Sequence, residues 1–455
     1  MELAGQVAVV VGLARSGVAA ARFLQERGAR VVATDSKGAG ELEAQVLSLA
    51  GEGIRLELGG HRETTILGAD LVVVSPGVPW DLPPLLAARR AGVRVIGELE
   101  LGARFMRGPI AAVTGTKGKS TTTAALGAML SEAGREVRVG GNIGAPVTGL
   151  LRGATETTVF VLEVSSFQLE GTFAFHPKVS VFLNLTPDHL DRHGDFASYA
   201  SAKARIFRNQ GEEDFAVVNR DSPEALRLAR GSAAAVVTFG AERPEGEGAF
   251  FSEGEALLLR KGTEETLFAR ATLQVPGSHL ALDLLAAAVA ARLLGASPEA
   301  IARAAASFAG LAHVLEPVAT IRGVRFVNDS KATNVDAALR SLESFEGGVL
   351  LILGGRFKGG DLSLLAEGVK ERARLVLAIG EARERIEKAL RGAAPIVLCL
   401  SLEEAVQKGY REARPGDTVL LAPACASFDM FRDYAARGDA FKAAVLTLLE
   451  QEGRR

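Results

Sequence analysis

Short apolar runs, each closing on a cluster of Gly, Ser, Asn, Asp or Pro, recur along the whole chain. Strand-like runs rich in apolar and β-branched residues cover 7–11, 30–34, 71–74, 93–96, 110–113, 136–139, 158–162 and 179–183. They return at 324–327, 349–353, 375–379, 396–398 and 418–421. Near-continuous runs of this length suit strands buried on both faces of a parallel sheet. Between them lie longer stretches of helical spacing, among them 120–133, 196–207, 280–294 and 298–308. This alternation predicts an α/β chain. Three successive domains are expected: a Rossmann-like domain over 1–107, a central P-loop mononucleotide-binding α/β domain over 108–310, and a C-terminal doubly wound α/β domain over 311–455. Arg107-Gly108-Pro109 supplies a turn at the first boundary. Shorter strands with Gly-rich turns over 215–273 predict a small antiparallel extension of the central domain.

Charge and composition narrow the class. Lysine and arginine total 52 against 54 acidic residues, which leaves no basic footprint for nucleic acid or an anionic membrane. The longest apolar stretch, 280–294, is broken by Asp283 and Arg292, so no membrane insertion is expected. Two cysteines, Cys399 and Cys425, make no disulfide framework and fit a reducing compartment. The opening M-E-L-A-G-Q lacks a basic region and leads into a strand, so it reads as no signal peptide. The expected location is cytoplasmic.

The candidate chemistry sits where the apolar runs end. Residues 113–123 read V-T-G-T-K-G-K-S-T-T-T, between a strand and a helix. Glycines there free backbone N–H groups to wrap phosphate at a helix N-terminus, with Lys119 on the outer phosphates and Ser120 on their Mg²⁺. Val113 stands where the strict motif has glycine. Glu163 closes one strand and either caps a helix or ligates Mg²⁺, a cation that prefers oxygen donors. Asp188 and His189 follow another strand and can meet the phosphate loop at the sheet edge. His189 and His193 have a zinc-like spacing, but Leu190 occupies the place of the required glutamate. Lys203, on spacing alone, is an exposed helix lysine. In the first domain, Gly12 to Gly17 and Asp35 form a βαβ nucleotide-binding start. Ala14 replaces the second fingerprint glycine and disfavours NAD, and a nucleotide-free domain is an equal reading. Polar loops at 328–334, 353–361 and 422–429 end three strands of the last domain and suggest a site for an anionic small molecule, with Lys331 and Lys358 as its charges. Cys425 lacks a base and reads as a small buried thiol.

Taken in order, these strings resemble the Mur ligases, and within them the D-glutamate-adding members. The resemblance rests on G-T-K-G-K-S-T, N-I-G, L-E-V-S-S-F-Q-L-E, D-H-L-D-R-H, N-D-S-K-A-T-N, A-P-A-C-A-S-F-D and R-G-D-A-F, and covers the whole chain. It implies an ATP-dependent amide-forming ligase of peptidoglycan synthesis, with UDP-N-acetylmuramoyl-L-alanine, D-glutamate and ATP as substrates, Mg²⁺ as cofactor and a monomeric state. By the same resemblance Lys119, His189 and Lys203 are catalytic. Gly115, Thr116, Lys117, Gly118, Lys119, Ser120, Thr121, Asp329 and Lys331 would bind ATP. Asp35, Ser36, Lys37, Ser75, Gly77, Asn142, Ser165 and Gln168 would bind the UDP-substrate. Thr333, Lys358, Ser427 and Tyr434 would bind D-glutamate. Ser120, Glu163, His189 and Lys203, the last as a carbamate, would hold metal. The third domain's residues are expected to act on domain closure. The chain departs from the family at Leu280 and Asp283, where two asparagines are usual, and at Val314, where an arginine near the phosphates is usual. Arg356 is a candidate replacement for that charge. A same-fold ligase for another amino acid, and a catalytically weak nucleotide-sugar-binding relative, are the competing expectations.

Overall fold

The computed structural model describes residues 1–275 and 277–453; the last two residues of the expected third domain lie outside them. The first sheet contains β1 (Val7–Val11), β2 (Arg30–Asp35), β3 (Arg55–Leu58), β4 (Leu71–Val74) and β5 (Arg94–Gly97), all parallel, in the order β3-β2-β1-β4-β5. Val9, Val10 and Val72 are fully buried, as a sheet covered on both faces demands.

The second sheet is built from β6 (Ile110–Thr114), β7 (Val137–Gly141), β8 (Val159–Glu163), β9 (Val179–Phe182), β10 (Phe215–Asn219), β11 (Ala235–Phe239), β12 (Gly248–Ser252), β13 (Glu255–Arg260) and β14 (Thr263–Ala269). Its order, β14-β13-β12-β11-β10-β9-β6-β8-β7, puts β6 between β8 and β9. From β6 the chain first runs outward to β7 and β8, then crosses to β9. The order reverses there, which opens a crevice beyond the C-terminal strand ends. The antiparallel extension expected over 215–273 is present in its second half only: β10 and β11 continue the central sheet in parallel, and the β12-β13-β14 meander is antiparallel. A Gly-rich, short-stranded sequence does not by itself distinguish parallel from antiparallel pairing.

The third sheet comprises β15 (Glu316–Ile321), β16 (Val324–Asn328), β17 (Val349–Gly354), β18 (Ala373–Ile379), β19 (Ile396–Leu398) and β20 (Thr418–Leu421), in the order β15-β16-β20-β17-β18-β19. All neighbours are parallel except β15 with β16. The three loops singled out from the sequence follow β16, β17 and β20, which are adjacent.

Contacts divide the chain into two compact units: residues 1–272 with 282–307, and residues 273–281 with 308–455. The first two sheets fall in one unit because one buried cluster runs from Leu3 to Ala234. Two carboxylates on the helix Glu98–Ala103 fasten them further. Glu100 is fully buried and accepts from the N–H groups of Phe173, Ala174 and Phe175, with Arg104 as counter-ion at 2.7 Å. Glu98 accepts from Thr148 N–H at 2.7 Å and Thr148 Oγ1–H at 2.8 Å, while its second oxygen is buried without a partner among the described residues.

Burial pushes the Glu98 carboxyl up to about 7 against the Thr148 hydrogen bonds, which act the other way. A raised carboxyl means the folded chain holds a proton that the unfolded chain releases. Stability should therefore fall as pH rises from about 4.5 to about 7, by no more than about 3 kcal/mol for this group. Glu98→Gln keeps an acceptor for Thr148 and cannot ionise. Denaturant titrations across that range should show a flatter pH slope for the variant, and an unchanged slope would rule out Glu98 as its source.

Candidate active site at the phosphate loop

The helix Lys119–Glu132 starts directly after a loop whose backbone only glycine adopts easily: Gly115 has φ 154° and Gly118 φ 83°. A Cβ on Gly118 would collide with the Asp283 carboxylate, so this position is fixed twice over. The loop is held by Asn184 at the end of β9. Its Oδ1 accepts from the N–H groups of Thr116 at 3.0 Å and Lys117 at 2.9 Å, and its Nδ2 donates to Lys117 O at 3.1 Å. Thr116 Oγ1 lies 3.1 Å from the Tyr199 hydroxyl and accepts from Thr186 N–H at 3.0 Å. Lys119 Nζ donates to Thr116 O at 2.8 Å. Neither Asn184 nor Tyr199 stood out in the sequence. The signal for Asn184 was its place after an apolar run, shared by many turn residues.

Glu163, at the end of β8, is buried and joins two of the expected elements. Its Oε2 accepts from Ser120 Oγ–H at 2.7 Å and its Oε1 from Asn142 Nδ2 at 2.7 Å. The helix-capping alternative for Glu163 therefore gives way to a role inside the crevice. Ser165 and Gln168 instead cap the helix Ser166–Glu170 with a reciprocal box, Gln168 Oε1 accepting from Ser165 N–H at 3.0 Å.

Lys203 is the largest departure from the sequence reading. It is 2% exposed, and its Nζ donates to Gly115 O at 2.7 Å and lies 5.0 Å from the Tyr199 ring centre. The expected exposed helix lysine is corrected: the helix Phe196–Ala204 turns that side chain inward under the loop. Burial and repulsion from Lys119 hold its ammonium well below the usual lysine range, partly offset by Asp188 and Glu163.

His189 adopts φ 54° at the start of the short helix Leu190–His193, half exposed, with Nε2 3.9 Å from Asp188 Oδ2. The His193 ring packs, as the His189 ring does, on Phe167, at 5.2 Å, but both His193 nitrogens are engaged by other partners: Nε2 lies 2.9 Å from Ser166 Oγ and Nδ1 3.2 Å from Glu170. The zinc pairing of the two histidines is thereby set aside. Among the described residues no group of three or more His, Cys, Asp and Glu is arranged to hold a metal. The oxygen pair of Ser120 and Glu163 suits Mg²⁺, which keeps most of its water and takes few protein ligands beside phosphate.

At the first sheet, Asp35 Oδ2 accepts from Leu13 N–H at 2.7 Å and Oδ1 from Lys37 N–H at 2.9 Å, shaping the adjacent turns; Ser36 and Lys37 are exposed. Ser75 Oγ donates to Gly12 O at 2.7 Å, binding the β1 and β4 loops together, and Gly77 O accepts from Arg192 at 3.4 Å.

In the second unit, Arg437 unites the three loops, a role the sequence did not reveal. It is 1% exposed and donates to Ser330 O and Oγ at 2.9 Å and to Cys425 O at 3.1 Å, with Gly354 O at 3.5 Å. Burial lowers its guanidinium to about 10 and raises the Cys425 thiol to about 12, in keeping with an inert buried cysteine. Asp329 is buried and accepts from Ser341 Oγ, its carboxyl raised to about 6 chiefly by burial. Lys331 N–H donates to His313 O at 3.1 Å, Thr333 N–H to Lys331 O at 2.8 Å, and Tyr434 O accepts from Ser330 Oγ at 2.7 Å. Ser427 is 2% exposed, whereas Lys358 is exposed with Nζ 5.4 Å from the Phe428 ring. Arg356 is paired with Glu381 at 2.9 Å.

Family models match all three sheets: the Mur ligase MurD-like N-terminal domain over residues 6–97, the Mur ligase middle domain over 113–291, and the Mur ligase glutamate ligase domain over 315–425. A UDP-N-acetylmuramoylalanine--D-glutamate ligase of Acidobacterium capsulatum is 46% identical over 98% of this chain and 97% of that protein. One of Koribacter versatilis is 44% identical over 99% of this chain and 100% of that protein. Among solved structures, UDP-N-acetylmuramate-alanine ligase MurC of Thermotoga maritima shares the fold with TM-score 0.59 at 20% identity, over 97% of this chain and 99% of that one. Matched along nearly its entire length, the chain belongs to the Mur ligase family.

Proposed function

We propose that this chain is an ATP-dependent ligase that joins D-glutamate to UDP-N-acetylmuramoyl-L-alanine in cytoplasmic peptidoglycan precursor synthesis, acting as a monomer. One cluster carries the reading: a phosphate loop held by Asn184, the Ser120–Glu163 pair beside it, and Lys203 buried against Gly115. The names of the relatives, nearly equal to this chain in length, point to the same reaction. Among the described residues no helix is long and apolar enough to cross a membrane.

In this reading, the alanine carboxylate of the UDP-sugar attacks the γ-phosphorus of ATP. An O–P bond forms as the bond to ADP breaks, leaving an acyl phosphate. The D-glutamate amine attacks its carbonyl carbon, a proton leaves the nitrogen, and phosphate departs from the tetrahedral intermediate. Residues 115–121 wrap the phosphates with backbone N–H groups, and Lys119 neutralises charge on the transferred group, a type of contact typically worth about 3 kcal/mol. Ser120 and Glu163 would hold Mg²⁺, with His189 and Lys203 serving a second ion; the metal supplies further charge neutralisation. The low pKa of Lys203 favours the free amine, which adds to CO₂ with loss of one proton and becomes a carbamate. That exchange turns a cation into an oxygen ligand. Asp35, Ser36, Lys37, Ser75, Gly77, Asn142, Ser165 and Gln168 are assigned to the UDP-sugar. Thr333, Lys358, Ser427 and Tyr434 are assigned to D-glutamate, with Asp329 and Lys331 toward the nucleotide. The domain spans 1–107, 108–310 and 311–455 remain our division of these tasks.

Phosphate release is the direct test, with ATP, Mg²⁺ and UDP-N-acetylmuramoyl-L-alanine present and candidate amino acids added singly. D-Glutamate should stimulate it. Stimulation by a different amino acid alone would move the chain within the family. Intact UDP-sugar binding without any release would favour the weak-relative reading, for which Asp283 beside Gly118 is the structural argument.

Lys203→Ala should lower kcat on the order of 100-fold or more, the scale of losing one electrostatic contact to the transition state. Excess bicarbonate with short carboxylates should restore part of it. Full activity of the variant without additives would eliminate the carbamate.

A further inference from the structure

The short helix Leu190–His193 carries a cation to which no role is assigned above. Arg192 reaches from the central domain to the loop after β4. Its Nη2 donates to Val78 O at 2.7 Å and its Nη1 to Gly77 O at 3.4 Å. The same loop carries Ser75 and Gly77, both given to the UDP-sugar. It turns tightly, with Val78 N–H donating to Ser75 O at 3.0 Å, and Ser75 Oγ–H ties it to Gly12 O at 2.7 Å. A guanidinium on two consecutive carbonyls therefore fixes the loop from the central-domain side.

Arg192 also meets His189, three residues before it. Its N–H donates to His189 O at 3.1 Å. Its guanidinium carbon lies 5.1 Å from the centre of the Phe167 ring, and the centre of the His189 ring lies 5.0 Å from that same point. Phe167 thus touches both the cation and the imidazole. His189 needs holding: half exposed, with φ 54°, it keeps a left-handed backbone that side chains seldom adopt. Asp188 Oδ1 takes its N–H at 3.0 Å, the N–H groups of Arg192 and His193 take its carbonyl at 3.1 Å, and Phe167 takes its ring.

A second arrangement of the cation is close at hand. Glu170 Oε2 lies 3.6 Å from Arg192 Nη2, an ion-pair distance too long for a hydrogen bond. The guanidinium gives its donors to the loop carbonyls in preference to this carboxylate. Should the loop shift, Arg192 has Glu170 to close upon. Two discrete partners for one cation make the kind of two-state element that coupling between sites requires.

We propose that Arg192 is a positioning residue that couples the two substrates: a UDP-sugar seated on the loop at 75–78 keeps Arg192 there, and Arg192 with Phe167 then keeps His189 set for the phosphate site. This rests on the ligase reading, which puts the UDP-sugar on that loop and His189 on the nucleotide's metal. The UDP-sugar and the nucleotide should therefore bind with positive cooperativity.

Calorimetry on the full chain measures that coupling, with Mg²⁺ and β,γ-methylene-ATP, an analogue that cannot transfer its γ-phosphoryl group. Saturating UDP-N-acetylmuramoyl-L-alanine should tighten analogue binding at least about fivefold, and the analogue should tighten UDP-sugar binding by the same factor. Arg192→Ala should cut the factor to below about twofold, with analogue affinity unchanged when the UDP-sugar is absent. Arg192→Lys, which cannot span two carbonyls, and Phe167→Leu, which removes the aromatic contact, should do the same. Hydrogen exchange gives a readout apart from affinity. The UDP-sugar alone should slow the amides of residues 186–194 in the wild-type chain and in none of the variants. A factor that survives in both Arg192→Lys and Phe167→Leu, or exchange over 186–194 unmoved by bound UDP-sugar, would overturn the coupling and leave the ligase reading standing. Failure of the wild-type chain to bind the UDP-sugar at all would overturn both.

Discussion

Burying the ammonium of Lys203 is the constraint around which the phosphate site is organised. An isolated buried charge costs far more than a hydrogen bond returns, so the group must find partners or lose its proton. Here it finds the carbonyl of Gly115 and lies close enough to Lys119 for repulsion to count. The loop is therefore tied from below by one side chain and from β9 by another, Asn184, which takes up two of its N–H groups. The fixed glycine conformations then need no entropy from the ligand to become ordered. Preorganisation of this kind is what lets backbone dipoles stabilise charge as it develops.

The same device recurs elsewhere. Glu100 gathers three consecutive N–H groups across the junction of the first two sheets, and Arg437 gathers carbonyls from three loops of the third. Each is a single buried charge saturated by backbone groups of segments far apart in the chain. Loops at neighbouring strand ends have few contacts of their own. A central charged group gives them a shared geometry that apolar packing alone would leave loose.

Which parts of this were legible follows from the physics of each signal. Uninterrupted apolar runs showed β6, β8, β9, β17 and β20, because strands buried on two faces must be apolar throughout. They also showed that the polar loops end at one edge of each sheet. The edge strands β3 and β15 escaped notice, since exposed edges carry mixed residues such as Arg55, Glu57, Glu316 and Thr320. Lys203 misled for the opposite reason, and Arg437, present only within R-G-D-A-F, drew no reading of its own: a charged residue in a helix reads as solvated, and nothing local records that the fold buries it. Gln168 and Asp329, placed by motif toward ligands, also hold their own segments together through Ser165 and Ser341. Motifs identify which residues a family keeps without saying which way their side chains turn.

The departures from the family are unevenly distributed, and that asymmetry bears on mechanism. The residues we assign to the transferred phosphoryl keep the family's identities: Lys119, Ser120, Glu163, His189 and Lys203. Leu280, Asp283 and Val314 lie outside that set. Asp283 is nonetheless only 8% exposed, and its carboxylate abuts Gly118 at the head of the helix Lys119–Glu132. A negative group there is favoured by the helix dipole while the loop is empty, and opposes the arriving phosphates once ATP binds. An amide at the same place would lack that competition. A carboxylate that meets the phosphates alike before and after the phosphoryl moves acts on nucleotide affinity, whereas groups that follow the moving charge govern the rate.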